Sequence, residues 1–252
     1  MGFDVPADSY DRFMGRFSVP LATLFLDRVD VRPGQRVLDV GCGPGALTTA
    51  LVDRLGADRV AAVDPSEPFV AAVRERLPGV DVRRGRAEAL PHAAASYDAA
   101  LAQLVVHFMT DPVAGLAEMR RVARPGGTVA CTVWDHAGGG GPLAPFFRAV
   151  AELDPAAPGE GTLPGTRQGH LGELMTAAGL RAVEESALTV SVAFATLEEW
   201  WEPFTLGVGP AGDYVRRLDD EGRAALLEAC SRQLPPPPFE VRATAWCAVA
   251  GV

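Results

Sequence analysis

One stretch, VLDVGCGPGALTTALVDRLG at residues 37–56, constrains the fold of this chain more than any other. A short apolar run is interrupted by Asp39, glycines follow at Gly41, Gly43 and Gly45, and an apolar stripe at helical spacing comes next. The pattern predicts a buried strand, a tight glycine turn and an amphipathic helix. A carboxylate in a buried strand is costly without a partner, so we expect Asp39 to have a specific role there.

The alternation of strand and helix continues to residue 134. The apolar runs that predict strands in this part are QRVLDVG, RVAAVD, VDVRRG, YDAALAQLVV and TVACTVW, and two later runs, ALTVSVAFAT and FEVRATAWCAVAGV, also predict strands. The helix after the fourth strand is expected to close before Pro125. Strands that alternate with helices pair in parallel through right-handed crossovers. We therefore expect an α/β fold with a Rossmann-like, doubly wound, mostly parallel seven-stranded sheet and helices on both faces.

The composition of the chain changes after Trp134. The segments DHAGGGGPLAPF and DPAAPGEGTLPGTRQGH are rich in Gly and Pro and predict long loops. Long loops in compact domains are often lids or binding loops. We expect one domain with a lid-like insertion rather than two domains.

Composition and charge argue against several classes of protein. The 252 residues are 48% hydrophobic and carry a net charge of -9, which is unlike a nucleic-acid binder. The chain has no run of about 18 apolar residues that would span a membrane, and its start does not resemble a signal peptide, so a cytoplasmic location is expected. The four cysteines form no Cys-x-x-Cys pair and the four histidines lack metal-ligand spacing, so no metal site is predicted.

The glycine turn has two interpretations. The pattern G-x-G-x-x-A at residues 41–46, with Asp64 about 20 residues further on, fits the relaxed dinucleotide fingerprint of an NAD-dependent dehydrogenase. Pro44 argues against it, because backbone N–H groups hold a pyrophosphate and proline has none. Asp39 would also bring a negative charge near two phosphates. A cationic ligand without phosphate, such as S-adenosylmethionine, tolerates both features, and the alternative role of Asp39 is a helix cap or a buried, hydrogen-bonded structural acid.

The chain resembles a known family over residues 34–134. The segments VLDVGCGPG, AAVDPS, GRAEALP, SYDAALAQLVVHF and RVARPGG are similar, in order and spacing, to the motifs of class I S-adenosylmethionine-dependent methyltransferases. YDRFMGRFSVPLA and HLGELMTAAGL also resemble actinobacterial members that act on small molecules. The resemblance implies a single methyltransferase domain over residues 1–252, with an N-terminal lid and helices (1–33), a cofactor-binding core (34–134) and an acceptor lid that completes the sheet (135–252).

The resemblance also implies which residues bind S-adenosylmethionine, whose product is S-adenosylhomocysteine. It assigns the glycine turn and Asp39 to the methionine part, Asp64 to the ribose hydroxyls, and Arg16 to the cofactor carboxylate. The alternative for the segment that carries Arg16 is a surface amphipathic helix with Phe13 and Phe17 packed inward. The expected cofactor-binding residues are Tyr10, Met14, Arg16, Asp39, Gly41, Cys42, Gly43, Asp64, Pro65, Ser66, Ala87, Glu88, Gln103 and Leu104. Many relatives carry Asp where this chain has Arg86, so the family's contact with the adenine amine is not carried over.

Catalysis of methyl transfer mainly requires that donor and nucleophile are held in line. A general base is needed only for a weakly acidic acceptor, and the candidates are His107, after the fourth strand, and Asp135 with His136, after the fifth. The alternative for these histidines is a structural turn and an exposed loop, respectively. The aromatic residues that could line an apolar acceptor pocket, or instead pack in the core, are Trp134, Phe146, Phe147, Trp200, Trp201 and Phe204.

The expected function is therefore methyl transfer to a small-molecule acceptor. An RNA methyltransferase is the runner-up with the same chemistry, and the acidic net charge opposes it. An NAD-dependent dehydrogenase and a non-catalytic S-adenosylmethionine-binding protein are the alternatives from other classes.

Overall fold

The computed structural model of the protein describes residues 10–157 and 159–252, so residues 1–9 of the expected N-terminal lid lie outside the described residues. The strands are β1 Val37–Val40, β2 Val60–Asp64, β3 Asp81–Arg84, β4 Tyr97–Gln103, β5 Ala123–Trp134, β6 Arg181–Phe194 and β7 Phe239–Gly251. They form one sheet in the order β3-β2-β1-β4-β5-β7-β6. The first five strands pair in parallel, and β7 lies antiparallel between β5 and β6. This confirms the predicted mostly parallel, seven-stranded sheet.

Helices connect the parallel strands, and further helices come after β5 in the sequence. They are α1 Arg16–Val29, α2 Ala46–Leu55, α3 Glu67–Arg76, α4 Pro112–Val122, α5 Ala144–Leu153, α6 His170–Ala177, α7 Leu197–Trp201, α8 Gly209–Arg217 and α9 Asp220–Gln233. A π-helical turn, Asp11–Gly15, leads into α1, and 3₁₀ turns lie at Val106–Phe108 and Glu202–Leu206. Among the described residues, no helix combines the length and the apolar character needed to cross a membrane.

Helices cover both faces of the sheet, as two neighbouring residues of β1 illustrate. Val37 belongs to an apolar cluster with Phe25 of α1 and Leu51 of α2. Leu38 belongs to a second cluster with Leu116 of α4. Successive side chains of a strand point to opposite faces of the sheet. Since helices cover both faces here, every residue of this central strand is buried.

The topology opens a crevice between β1 and β4. From β1 the chain continues to β2 on one side, and from β4 it continues to β5 on the other side. Ligands of doubly wound sheets bind at such a switch point, beyond the carboxyl ends of the strands. The fold therefore places the glycine turn, which follows β1, at the position where a ligand is expected.

The structure corrects the predicted element order at two places. α4 ends at Val122, before Pro125 as predicted, but β5 begins directly at Ala123, which pairs with Tyr97, and not at Thr128. The segment DHAGGGGPLAPF is not all loop, because α5 begins at Ala144 and buries Phe146. The helices α7 and α8 were not predicted either.

The helices after β5 and the N-terminal turn share a third apolar cluster. Phe204 is at its centre: it stacks on Phe146 with ring centroids 4.6 Å apart, and lies 4.7 Å from Trp200 and 5.3 Å from Phe13. These side chains are buried. Three of the aromatic residues suggested for an acceptor pocket, Phe146, Trp200 and Phe204, therefore pack in the core, which was the alternative for each.

Candidate functional site

A cavity of about 820 Å³ lies at the carboxyl ends of β1, β2 and β4. We call it the large cavity, and its volume is in the range of about 300–1,000 Å³ typical of small-molecule and cofactor sites. Twelve of the predicted cofactor-binding residues line it: Tyr10, Asp39, Gly41, Cys42, Gly43, Asp64, Pro65, Ser66, Ala87, Glu88, Gln103 and Leu104. The fold thus brings together residues that lie far apart in the sequence.

Asp39 combines a structural contact with an unused oxygen. Its Oδ2 accepts a 2.6 Å hydrogen bond from Thr48 Oγ1 of α2, and its Oδ1 has no partner among the described residues. Burial raises the pKa of Asp39 to about 7, against the opposing hydrogen bond from Thr48. A buried carboxylate with a free oxygen in a cavity wall suits a cationic ligand group.

The glycine turn keeps no backbone donor for an anion. The N–H groups at positions 41, 42, 43 and 45 all donate within the protein; their bonds are Gly41 to Val63 O at 2.7 Å, Cys42 to Val63 O at 3.0 Å, Gly43 to Asp64 Oδ2 at 2.9 Å and Gly45 to Cys42 O at 3.0 Å. Pro44 has no N–H to offer. A pyrophosphate would need such donors, so the geometry of the turn argues against the dinucleotide interpretation.

Steric contact explains one of the glycines directly. Gly41 has φ +74°, and a Cβ at this position would lie 2.5 Å from a methyl carbon of Val105. Gly43 also has a positive φ, +53°, but a Cβ there would meet no atom within 4 Å. The close approach at Gly41 is therefore to Val105, while the backbone at Gly43 borders open space.

Asp64 ends β2 and is fixed by two backbone donors. Its Oδ2 accepts from Gly43 N–H at 2.9 Å and its Oδ1 from Ser66 N–H at 2.8 Å. Burial raises the pKa of Asp64, and these two hydrogen bonds oppose the shift. A carboxylate oxygen has more than one lone pair, so each oxygen of Asp64 can still accept from a ligand hydroxyl.

Beyond Asp64, the rim of the cavity is tied to the loop before α4. Glu88 Oε1 accepts from the N–H groups of Thr110 and Asp111 at 2.8 and 3.3 Å. Arg86, which also lines the cavity, donates from Nη2 to Thr110 Oγ1 at 2.6 Å. Glu88 and Arg86 therefore hold the rim in place, and Ala87 lies between them in the wall.

The end of β4 presents a second unused acceptor. Gln103 donates from Nε2 to Ser18 O at 2.9 Å, and its buried Oε1 has no partner among the described residues. Leu104, next in the chain, has φ +62°, a strained value for a residue with a branched side chain. Backbone strain of this kind is concentrated at functional sites.

The N-terminal turn closes over the large cavity. Tyr10 lines the cavity and packs edge-to-face on Phe69 of α3, with ring centroids 5.6 Å apart. Its neighbour Asp11 pairs with Arg76, also of α3, at 2.6 Å. Burial raises the pKa of Tyr10.

Two residues of the same segment do not lie where the resemblance implied. Arg16 pairs with Glu199, and its guanidinium carbon lies 5.0 Å from the ring centroid of Phe194. It is absent from the wall of the large cavity, because the helix turns it toward β6 and α7. Met14 lines a second, smaller cavity instead.

This small cavity, of about 40 Å³, shares Tyr10, Leu104, His107 and Phe108 with the large one. Both predicted catalytic histidines line it. Burial lowers the pKa of His107 to about 3 and that of His136 to about 4, so both rings are neutral at physiological pH. The side chain of His136 is only 7% exposed, unlike the exposed loop residue considered as its alternative.

Glu160 is the residue that the sequence did not indicate. It lines the small cavity, and its Oε2 lies 3.8 Å from His136 Nε2. Burial raises its pKa to about 7. A single acid in a Gly- and Pro-rich loop has no spacing that links it to any motif. In the part of the chain that the structure describes, no group of three His, Cys, Asp or Glu side chains could hold a metal ion.

Comparison with known proteins agrees with this architecture. Residues 38–131 match a family model described as a methyltransferase domain. Demethylmenaquinone methyltransferase of Renibacterium salmoninarum is 38% identical over 113 residues, which cover 45% of this chain and 47% of that protein. Nocamycin O-methyltransferase of Saccharothrix syringae is 37% identical over 138 residues, covering 52% and 49% respectively. The chain thus spans about half the length of these curated relatives.

Solved structures show the same fold. Phospholethanolamine N-methyltransferase 2 of Haemonchus contortus, in complex with phosphomonomethylethanolamine and S-adenosylhomocysteine, has a TM-score of 0.59 at 16% identity and covers 100% of this chain and 60% of that one. The [4+2]-cyclase SpnF has a TM-score of 0.55 at 20% identity, with 92% and 80% covered. At these identities the similarity concerns the fold, and the cyclase shows that the fold alone does not define the reaction.

The matched core, the sheet and the cavity together define the class. Residues 38–131 match the methyltransferase domain model, and two curated relatives that share this core are methyltransferases, in agreement with the class I S-adenosylmethionine-dependent methyltransferase that the motifs predicted. S-adenosylmethionine is the cofactor of that class, which confirms the predicted cofactor.

Proposed function

We propose that this protein transfers a methyl group from S-adenosylmethionine to a small-molecule acceptor by in-line displacement. The polarity of the large cavity is the observation that supports this most. Two buried oxygens in its wall, Asp39 Oδ1 and Gln103 Oε1, have no partner among the described residues, while the N–H groups of the glycine turn are already used. Such a wall suits a ligand with an ammonium and a sulfonium, and disfavours one with two phosphates.

In this proposal each part of the wall meets one part of the donor. Asp39 and the turn at Gly41–Gly43 face the amino-acid end. Asp64 accepts hydrogen bonds from the ribose hydroxyls, since its carboxylate is already oriented by Gly43 and Ser66. Gln103 and Leu104, at the end of β4, face the sulfonium.

The adenine lies between the two remaining groups of predicted residues. Pro65 and Ser66 flank it on one side, and the backbone at Ala87 meets its edge. Glu88 contributes to this part of the site by holding the loop at Thr110 and Asp111 in place, and not by offering a free carboxylate to the adenine. Tyr10 closes the cavity from the N-terminal side.

The side chains of the protein have to supply little of the chemical reactivity in this transfer. When bound, S-adenosylmethionine supplies a methyl group already activated on a sulfonium. The residues of the chain hold the donor and the acceptor in line, and the closed N-terminal turn excludes water. The small cavity, which shares four wall residues with the large one, is the part of the site that receives the reacting group of the acceptor.

Several features support a small-molecule acceptor. Two relatives with similar cores are named for small molecules, demethylmenaquinone and nocamycin. The net charge of -9 is unfavourable for an RNA acceptor. The division into an N-terminal lid (1–33), a cofactor core (34–134) and an acceptor part (135–252), and the cytoplasmic location, remain part of this proposal.

Calorimetric titration with S-adenosylmethionine, S-adenosylhomocysteine and NAD in parallel tests the proposed donor. Binding of the first two without NAD supports it. Binding of NAD alone would replace the proposal with a dehydrogenase. The remaining alternative is a non-catalytic protein that binds S-adenosylmethionine, and it is tested by measuring S-adenosylhomocysteine formed in an extract of the host. A protein that binds the donor but forms no S-adenosylhomocysteine there is not a methyltransferase.

A further inference from the structure

The small cavity contains polar groups in apolar surroundings. Its wall includes Phe13, Leu143 and Val208, but also the imidazole of His136 and the carboxyl group of Glu160. The two polar side chains are each only 7% exposed. Buried polar groups normally have hydrogen-bond partners, so such a pair in a cavity wall requires an explanation.

Two further polar atoms of the same wall are unused. Trp134 Nε1 and His107 Nδ1 are buried and have no hydrogen-bond partner among the described residues. The indole N–H can only donate, and the carboxylate of Glu160 can only accept. The wall therefore contains one group that only donates and one that only accepts, while His107 Nδ1 donates or accepts according to its tautomer.

The loops around the cavity fix the position of Glu160. The N–H of Ala137, next to His136, donates to Thr166 O at 3.2 Å. Thr166 is buried and donates from Oγ1 to Gly161 O at 3.0 Å, directly beside Glu160. The loop that carries the acid is thus anchored to the loop that carries the imidazole.

The size of the cavity limits what can enter it. A volume of about 40 Å³ holds a single functional group and not a whole acceptor, since a water molecule occupies about 30 Å³ of liquid. Tyr10, Leu104, His107 and Phe108 separate it from the large cavity, where the donor is proposed to lie. The body of the acceptor must then occupy the large cavity and project one polar group between these walls.

We propose that Glu160 is the general base of the methyl transfer and that the acceptor is a small molecule methylated on a hydroxyl oxygen. The inference rests on the proposed function and adds the class of acceptor. A hydroxyl both donates and accepts, so it pairs with the Glu160 carboxylate and with the Trp134 indole at once. A hydroxyl oxygen has two lone pairs, so one can accept from the indole while the other attacks the methyl carbon. A neutral amine has only one lone pair and cannot do both.

The step balances in atoms and charge. The acceptor oxygen forms a bond to the methyl carbon as the carbon–sulfur bond of the donor breaks, and that electron pair stays on sulfur. The hydroxyl proton passes to the carboxylate of Glu160 and then to solvent. His136, with Nε2 3.8 Å from Glu160 Oε2, contacts the same hydroxyl and orients it.

The protonation states agree with these roles. Burial raises the pKa of Glu160 to about 7, close to the value at which a base works best near neutral pH. The other titratable groups that face the pair are Tyr10, His107 and Asp135. Both histidines have pKa values lowered by burial, to about 3 and about 4, so Glu160 is the group that changes charge between about pH 6 and pH 8.

Infrared spectroscopy of the whole protein with ¹³C-labelled glutamate tests the base without any acceptor. We expect a protonated carboxylic acid band at about pH 6 that disappears by about pH 8, because only an acid with a raised pKa is protonated there. The band should vanish in Glu160→Gln. It should persist in Glu152→Gln, a matched change at an exposed acid of α5 that pairs with Arg232. A missing band, or one that survives in Glu160→Gln, contradicts the proposal.

Formation of S-adenosylhomocysteine with three probes, phenol, toluene and aniline, tests the acceptor class. Phenol should support it, whereas toluene, which lacks the hydroxyl, and aniline, which carries an amine in its place, should not. With phenol, Glu160→Gln should lower the rate by about 100-fold or more and remove the rise in rate through about pH 7, whereas Glu152→Gln should change neither.

Calorimetry on the same variants separates the possible failures. Glu160→Gln should bind S-adenosylmethionine as the unchanged protein does. If the protein does not bind the donor at all, the proposed function itself fails. If it binds the donor but methylates aniline in place of phenol, or none of the probes, or if Glu160→Gln retains its rate with phenol, the inference about Glu160 and the hydroxyl is overturned while the donor assignment stands.

Discussion

The large and the small cavity are built in different ways. The large cavity is lined mostly by the turns that directly follow β1, β2 and β4. The small cavity collects side chains from the N-terminal turn, the ends of β4 and β5, Glu160 and the start of α8. Sites formed by consecutive strand-to-helix turns leave motifs in the sequence, whereas sites assembled from distant segments leave none.

The two cavities also differ in how their polar groups are held. In the large cavity, Asp39 and Asp64 are fixed by hydrogen bonds from Thr48, Gly43 and Ser66. In the small cavity, Trp134 Nε1 and His107 Nδ1 have no partner among the described residues, and the loop that carries Glu160 is anchored by Thr166. If the two cavities take donor and acceptor as proposed, the donor side is organised before a ligand binds, and the unpartnered atoms of the acceptor side pair when an acceptor enters.

The largest effect is expected where the turn of the large cavity is sterically fixed. Gly41→Ala should lower the free energy of unfolding by about 2–4 kcal/mol, because its Cβ would overlap Val105 and its φ is positive. Gly34→Ala is the matched control: Gly34 also has a positive φ, but a Cβ added there would meet no atom within 4 Å. Urea denaturation measures both, and equal losses would show that Val105 does not restrict Gly41.

A second effect follows from the buried charge of Asp39. Its pKa is raised from 3.8 to about 7, so the folded state retains a proton that the unfolded state loses, and the contribution of Asp39 to stability falls as pH rises through this window. Asp39→Asn removes this dependence. The free energy of unfolding of the variant, relative to the unchanged protein, should rise by about 2–3 kcal/mol from about pH 5 to about pH 7.5.

Comparing the variant with the unchanged protein separates the pH dependence due to Asp39 from that due to the two histidines of the small cavity. The lowered pKa values of His107 and His136 have the opposite effect, since stability gains from these groups as pH rises toward 6.5. Their contribution is the same in both proteins and cancels. A difference that stays flat with pH would mean that Asp39 is not the buried acid that its position implies.

The assignment of Asp64 to the ribose hydroxyls predicts an effect of intermediate size on the affinity for S-adenosylmethionine alone. Asp64→Ala should weaken the binding of S-adenosylmethionine by about 1–3 kcal/mol, the usual cost of leaving buried polar groups unpaired. Asp58→Ala, at an exposed acid just before β2, should leave the affinity unchanged. Calorimetry compares the two, and unchanged affinity in Asp64→Ala would remove Asp64 from the donor site.

The smallest effect is expected at Arg16, which the resemblance assigned to the cofactor carboxylate. Because Arg16 pairs with Glu199 at a partly exposed position, Arg16→Ala should cost at most about 1 kcal/mol of stability. It should not change the affinity for S-adenosylmethionine. A clear loss of affinity, measured by calorimetry, would restore the original assignment and require the N-terminal helix to turn on binding.

The sequence was most informative where local rules determine the structure. Asp39 and Asp64 stand at strand ends beside glycine or proline, so their place in one cavity followed from the topology of parallel strands. The parallel order and the two late strands could be read from the alternation of apolar runs. Helix α5 could not, because four glycines and a proline precede it and its buried face, which includes Phe146, Ala149 and Val150, is set by tertiary packing.

Other residues depend on contacts that the sequence does not encode locally. Arg16 was assigned from its position in a segment, but its direction is set by Glu199, which lies in α7, a helix that was not predicted. Glu160 comes near His136 because Thr166 joins two loops, and no periodicity describes such a contact. The alternative for most of the aromatic set, packing in the core, was correct at Phe204 because three rings surround it.

The position of β7 has a consequence for the order of events during synthesis. Within the described residues β6 borders only β7, yet β7 is made later, after the helices α7, α8 and α9. While the ribosome translates those helices, β6 has no strand to pair with and its hydrogen-bonding edge is exposed, a state in which nascent chains associate with one another. The helices α7, α8 and α9 must therefore fold beside an incomplete sheet. The sheet and the packing of these helices are completed when β7 is synthesised.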